Sequence, residues 1–166
     1  MAEPSHMDDD VIAPEEPAQL RDLLPFAIAD RLFAVFTDQV DATAEAKPFA
    51  RLPRSPRAIA GVVCVRGRML TVLDSAAALN ETLRDWEHTV PYVLVLRGDE
   101  QLALAADVCR DTITVSAEDI APPPEDSAGR AAIGIVRYAG EEILILDASR
   151  LFECAVQRRE RRRRRF

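Results

Sequence analysis

The side chains whose types and positions bear on chemistry are few. Arg66 and Arg68 flank Gly67, the carboxylates Asp74, Asp107 and Asp147 stand at the ends of apolar runs, and Cys64, Cys109 and Cys154 supply thiols. An arginine fork on an exposed corner suits a carboxylate, through two parallel N–H donors. Carboxylates can do acid–base work, but at a strand end or helix start their ordinary job is capping. No GxSxG, P-loop, GxGxxG or HExxH pattern occurs, so an enzyme is not expected. The cysteines lack CxxC pairing and read as buried free thiols. His6 and His88 lie far from any cysteine at ligand spacing, so neither a metal nor a cofactor is expected. A Cys–His nucleophile would need His88 beside Cys64 or Cys109, which nothing in the sequence suggests.

The element that must position the arginines runs from Gly61 to Asp74. Two short β-branched and apolar runs flank Arg66-Gly67-Arg68, which reads as strand, tight turn, strand. Gly67 takes φ > 0 at no steric cost, so the chain can reverse there. Such a hairpin needs further strands or a helix against its apolar face. Ser75 to Leu79 reads as a short helix capped by Asp74 or Ser75, with Asn80 as a left-handed terminator. Upstream, Leu23–Ile28 and Leu32–Phe36 alternate as a hairpin, with Pro25 expected at the start or edge of its strand. From Thr43 to Pro56 the prolines 48, 53 and 56 argue for irregular chain.

Further on, residues 81–89 read as a polar surface loop in which Trp86 is a packing anchor. Tyr92–Leu96 and Leu102–Ala106 pair across Gly98-Asp99, and Ile113 and Val115 alternate before Pro122-Pro123-Pro124 interrupts. Ile133–Val136 and Ile143–Leu146 pair across Ala139-Gly140. Asp147 is expected to cap a last helix through Leu151, Phe152 and Val156. Short strands at close spacing argue for barrels or a sandwich.

Composition sets the outer bounds. The 166 residues are 48% apolar and 30% charged, enough for a real core. No apolar run approaches the roughly 20 residues needed to cross a bilayer. Residues 1–21 are acidic and proline-bearing, unlike a signal peptide, and read as a disordered leader in a cytoplasmic protein. The tail from Arg158 carries seven arginines and one glutamate, or +6, so a net charge of −7 leaves −13 on the remainder. An acidic body rarely binds nucleic acid over its folded surface, and no specific nucleic acid or membrane insertion is expected. The tail itself could touch RNA, DNA or an anionic membrane, fold back, or merely solvate. Lacking interleaved aromatics, it favours the last.

The two halves share a layout, seen by comparing Pro53 to Asp74 with Pro122 to Asp147. That layout, with Gly61-Val62-Val63-Cys64-Val65-Arg66-Gly67 and Asp74, resembles the CheW family of chemotaxis coupling proteins. Leu52-Pro53, Pro56, Asp107, Ile120, Pro122, Gly134 and Leu151 support the likeness, which spans residues 23–153. The resemblance implies a mostly β fold of two small five-stranded SH3-like β-barrels side by side, with short helices after each half and at the C-terminus. It implies a CheW-like domain over 22–157 with halves near 22–88 and 89–157, no catalysis, and partners in a CheA-type histidine kinase and chemoreceptor tips. It casts Arg66 as partner-facing with Gly67 and Arg68, and puts Val40 and Ala42 in the receptor-binding region.

Several positions depart from the family pattern. Cys64 replaces an asparagine, Ala42 a glutamate, Thr71 a proline, Ser75 a leucine and Ala103 a glycine. Each new side chain is small, so the fold survives, while Ala42 removes a charge from the docking surface. Val62 and Leu70 read as core rather than contact. The alternative to a chemotaxis adaptor is a CheW-like module of another kinase or motility pathway, tethered by its basic tail.

Overall fold

Alternation with a period of two generates this fold, and it begins before the end of the expected leader. The computed structural model describes residues 16–79, 86, 89–98, 100–125 and 131–154. β1 (Leu20–Ile28) and β2 (Arg31–Phe36) form the first hairpin, reversing at Ala29 and Asp30. Phe26 and Phe33 face each other across it with ring centroids 5.7 Å apart, both fully buried.

Pro25 is not at the start or edge of its strand. It lies inside β1, opposite Ala34, with partners on both sides. β8 (Val108–Cys109) and β9 (Ile113–Ser116) both pair with β1, but Phe26 is opposite Cys109 while Leu23 is opposite Ile113. The Pro25 carbonyl accepts from the Arg110 amide at 2.9 Å within that gap. The nitrogen of the same residue faces the same side, so the missing donor falls between two partner strands and costs no ladder bond.

The segment expected to be irregular from Thr43 is strand as far as Ala50. In β3 (Val40–Ala50), Val40, Ala42 and Ala44 turn to the core while Asp41, Thr43 and Glu45 turn outward. Alanine carries little apolar surface, so this alternation is faint in the sequence. Pro48 is accommodated where β3 leaves β6 (Thr89–Leu96) for β4 (Ile59–Val65): it stands opposite Thr89, and the next residue, Phe49, is opposite Val63.

With β5 (Arg68–Leu73) and β7 (Leu102–Ala106), these strands close a five-stranded barrel in the order β3-β4-β5-β7-β6. The other lobe has six strands, adding β10 (Ala132–Tyr138) and β11 (Glu141–Leu146) in the order β10-β11-β2-β1-β8, with β9 also on β1. β8 and β9 share the fifth position of that lobe. Ala121 exchanges two backbone bonds with Ile135 of β10, at 2.8 and 2.9 Å, which ties the chain after β9 to the far edge.

The lobes are therefore not the consecutive halves expected to divide near residue 88. β1 and β2 complete the lobe of β10 and β11, and β6 and β7 complete the barrel of β4 and β5. A hairpin's own pattern fixes that it must be paired, not which sheet receives it. One core cluster crosses both lobes, joining Phe26 and Phe33 to Val63, Leu70, Val72 and Leu146. A smaller one, with Leu23, Val136 and Ile143, fills the six-stranded lobe alone. Each such side chain contributes about 1.5–3 kcal/mol on burial.

The repeated layout is structural as well as sequential. The Asp74 amide donates to the Ala58 carbonyl and the Asp147 amide to the Ala131 carbonyl, both at 2.8 Å. Asp74 Oδ1 accepts from the Ala77 amide and Asp147 Oδ1 from the Arg150 amide, both at 3.0 Å. These bonds cap α1 (Ser75–Ala78) and a helix over residues 148–154, α2. A Cβ at Gly61 would overlap the Ala50 carbonyl, and one at Gly134 would come within 2.6 Å of Ile120 Cγ2. Asn80, Val156, residues 1–15, the loop residues 81–85 and 87–88, and the tail 158–166 lie outside the described residues.

Candidate functional site

The corner of the β4–β5 hairpin is a two-residue loop. Val65 and Arg68 are the last cross-strand pair, and Arg66 and Gly67 between them have φ of 50° and 76°. Both central residues of such a turn must be left-handed, which matches the right-handed twist of the flanking strands. Gly67 adopts this freely, whereas Arg66 does so at a cost of about 1–2 kcal/mol. The result is an arginine displayed at the corner of a hairpin of the closed barrel. Arg66 is exposed and has no ion-pair partner among the described residues.

Arg68 begins β5 and lies 4.0 Å from the Asp41 carboxylate, both side chains about half exposed. Asp41 is the residue by which sequence reasoning fell short. The β3–β6 register passes from Val40 opposite Leu96 to Ala42 opposite Val95, so Asp41 is the extra residue of a bulge. A bulge re-aims the side chain it carries. Here it brings the start of β3, with Val40 and Ala42, to the hairpin corner. Val40 and Ala42 are themselves half-buried against the main core and add flanks rather than exposed area.

The outward face of the hairpin is set by parity. Val63, Val65, Leu70 and Val72 point inward, so Leu70 is core as expected. Val62, half-buried, pairs with Thr71 outward. Cys64 pairs with Met69, and both are exposed, Met69 by 57%. The expectation of a buried Cys64 thus fails: an apolar neighbourhood in sequence includes both faces of a strand. Cys109 and Cys154 are half-buried free thiols, and burial, then the Asp111 charge, pushes the Cys109 thiol up. Met69 was legible by the same parity count.

The three aspartates perform the capping duties expected of them. Asp74 is buried, and its Oδ2 accepts from the Trp86 indole at 2.7 Å. Burial raises its pKa against the lowering effect of the Ala77 and Trp86 donors. Asp107 Oδ2 accepts from the Ala29 amide at 2.8 Å and so holds the left-handed corner of the first hairpin. Asp147 caps α2. Trp86 is a packing anchor, only 4% exposed, with its polar edge satisfied. His6 and His88 lie outside the described residues. No described helix is long and apolar enough to cross a membrane.

The profile of the CheW-like domain matches residues 22–155. The chain belongs to the CheW-like domain family. The matched span of this CheW-like domain covers all but the first two residues of β1 and runs through both lobes to the end of α2. The chain is 28% identical to the chemotaxis protein CheW of Rhizobium meliloti (strain 1021) over 137 residues, 80% of this chain and 87% of that one. It is 32% identical to protein FrzA of Myxococcus xanthus over 138 residues, 80% and 86% of the two chains. In fold it is similar to the scaffolding protein TtCheW from Thermoanaerobacter tengcongensis, with a TM-score of 0.70 at 20% identity, covering 81% of this chain and 94% of that one.

Proposed function

We propose that this CheW-like chain is a non-enzymatic adaptor of the cytoplasm that couples a CheA-type histidine kinase to chemoreceptor tips. The observation that carries the reading is the hairpin corner: an exposed arginine, Arg66, with no ion-pair partner among the described residues, set on a closed barrel by a two-residue turn. A guanidinium so placed is accessible to a carboxylate on a receptor helix, through two parallel N–H donors. Gly67, Arg68, Val40 and Ala42 complete the contact surface, and Cys64 and Met69 extend it with exposed apolar area. Asp74, Asp107 and Asp147 are engaged by backbone and indole donors, which supports an adaptor over an enzyme.

Arg66→Glu reverses the corner charge without touching the core. Receptor binding is expected to fall at least tenfold while the melting temperature stays within about a degree. Unchanged receptor binding would remove Arg66 from the interface. Co-purification of a CheA-type kinase with the tagged chain tests the other half of the reading.

A further inference from the structure

The two guanidiniums of the hairpin corner stand in different surroundings. Arg66, exposed in the left-handed turn, has no ion-pair partner among the described residues. Arg68 lies 4.0 Å from the Asp41 carboxylate, with side chains 47% and 53% exposed. We propose that Asp41 sets the partner selectivity of this corner: by occupying Arg68, it confines an incoming carboxylate to Arg66. This role rests on the adaptor reading and belongs to a residue outside the contact surface named there.

Backbone register brings the carboxylate there. Val40 is opposite Leu96 and Ala42 opposite Val95, so Asp41 has no partner on β6 and is the extra residue of the bulge. Val40 and Ala42, on either side of it, pack against the main core and anchor the backbone, while Asp41 itself is exposed. Arg68 is anchored in turn as the cross-strand partner of Val65, the last pair before the turn. Two strands of the closed barrel thus hold the bases of the two charged side chains, which are remote from each other in sequence.

At 4.0 Å the pair is too long for a hydrogen bond, and half-exposed ion pairs of this kind add little to stability. Their effect falls on what approaches. Charges at the rim of an interface act on association rate, salt dependence and partner choice, and juxtaposed like charges are costly. A carboxylate arriving at Arg66 meets a cation with no described counter-ion. One arriving at Arg68 also meets the negative charge of Asp41. The partner selected is a receptor helix that offers one carboxylate at the corner. Paired carboxylates, which two free guanidiniums would favour, are refused at the second position.

Binding of the full chain to a chemoreceptor cytoplasmic fragment, as wild type and as Asp41→Asn, tests this role. The variant keeps the side-chain shape and releases Arg68. It is expected to bind at least about threefold tighter in about 0.1 M salt, where charges act over about 10 Å, and to lose that gain in about 1 M salt, where they act over about 3 Å. Asp41→Glu restores the carboxylate and should return the wild-type affinity. In an Arg68→Gln background, Asp41→Asn should change affinity less than about twofold, because the carboxylate acts through that guanidinium. Melting temperatures should match the wild type, since both side chains are half exposed. Weaker receptor binding by Asp41→Asn overturns the proposal, as does a gain that survives intact in the Arg68→Gln background. Wild-type binding that Asp41→Asn leaves unchanged removes this role alone. Failure of the wild-type chain to bind receptor removes the adaptor reading and this role with it.

Discussion

The Trp86 indole donates to Asp74 Oδ2 at 2.7 Å, joining two residues that are almost wholly withdrawn from solvent. The same carboxylate caps α1 through its other oxygen. One side chain thus fastens both the helix that follows β5 and the connection that leads to β6. Trp86→Phe keeps most of the packing but leaves Asp74 Oδ2 without this donor. A loss of about 1–3 kcal/mol is expected from urea unfolding. A loss below about half a kcal/mol would mean that the bond is dispensable.

Protonation of Asp74 gives a signed test. Burial, the largest influence, lifts its pKa, the Ala77 and Trp86 donors pull it down in part, and the Asp107 charge adds to the rise. The folded state therefore holds this proton more tightly than the unfolded chain. The benefit is complete below the ordinary carboxylate pKa and disappears as pH rises through the elevated one. Relative to Asp74→Asn, the wild-type chain should gain stability as pH is lowered from neutral across that window. Paired urea titrations at several pH values measure the difference, and a flat or opposite slope would contradict it.

Gly61 in β4 and Gly67 in the turn that follows it should respond differently to alanine. A Cβ at Gly61 meets the Ala50 carbonyl oxygen, part of the backbone of the neighbouring strand, which cannot swing aside. Gly61→Ala is expected to cost about 1–3 kcal/mol or more through overpacking. Gly67→Ala enters open space and should cost only about 1–2 kcal/mol for its left-handed φ. Urea midpoints of the two variants decide the order.

Thiol reactivity should separate the cysteines. Cys64 is exposed, whereas Cys109 is half-buried and its thiolate is disfavoured by burial and by Asp111. The thiolate is the reactive form. Native chain treated with an aromatic disulfide at mild alkaline pH should show a fast phase that Cys64→Ser abolishes. Persistence of that phase in the variant would place the accessible thiol elsewhere.

Local features were legible from residues alone because they are decided within a few positions. The reversals at Arg66-Gly67 and Ala139-Gly140 and the capping by Asp74 and Asp147 needed only residue types and alternation. Strand β3 escaped because alanine marks its inward face so weakly. Cys64 was misplaced because apolar neighbours were counted without their parity.

What the chain order leaves open is which surfaces meet across long separations. The exchange of hairpins between lobes, the bulge that turns Asp41 toward Arg68, and the Trp86–Asp74 bond all join residues whose own neighbours give no sign of the partner. Turns and caps follow from short-range sterics and hydrogen bonding, which the sequence by itself determined. Sheet membership and the burial of a charge depend on the packing of the whole core, and only the tertiary structure decided them.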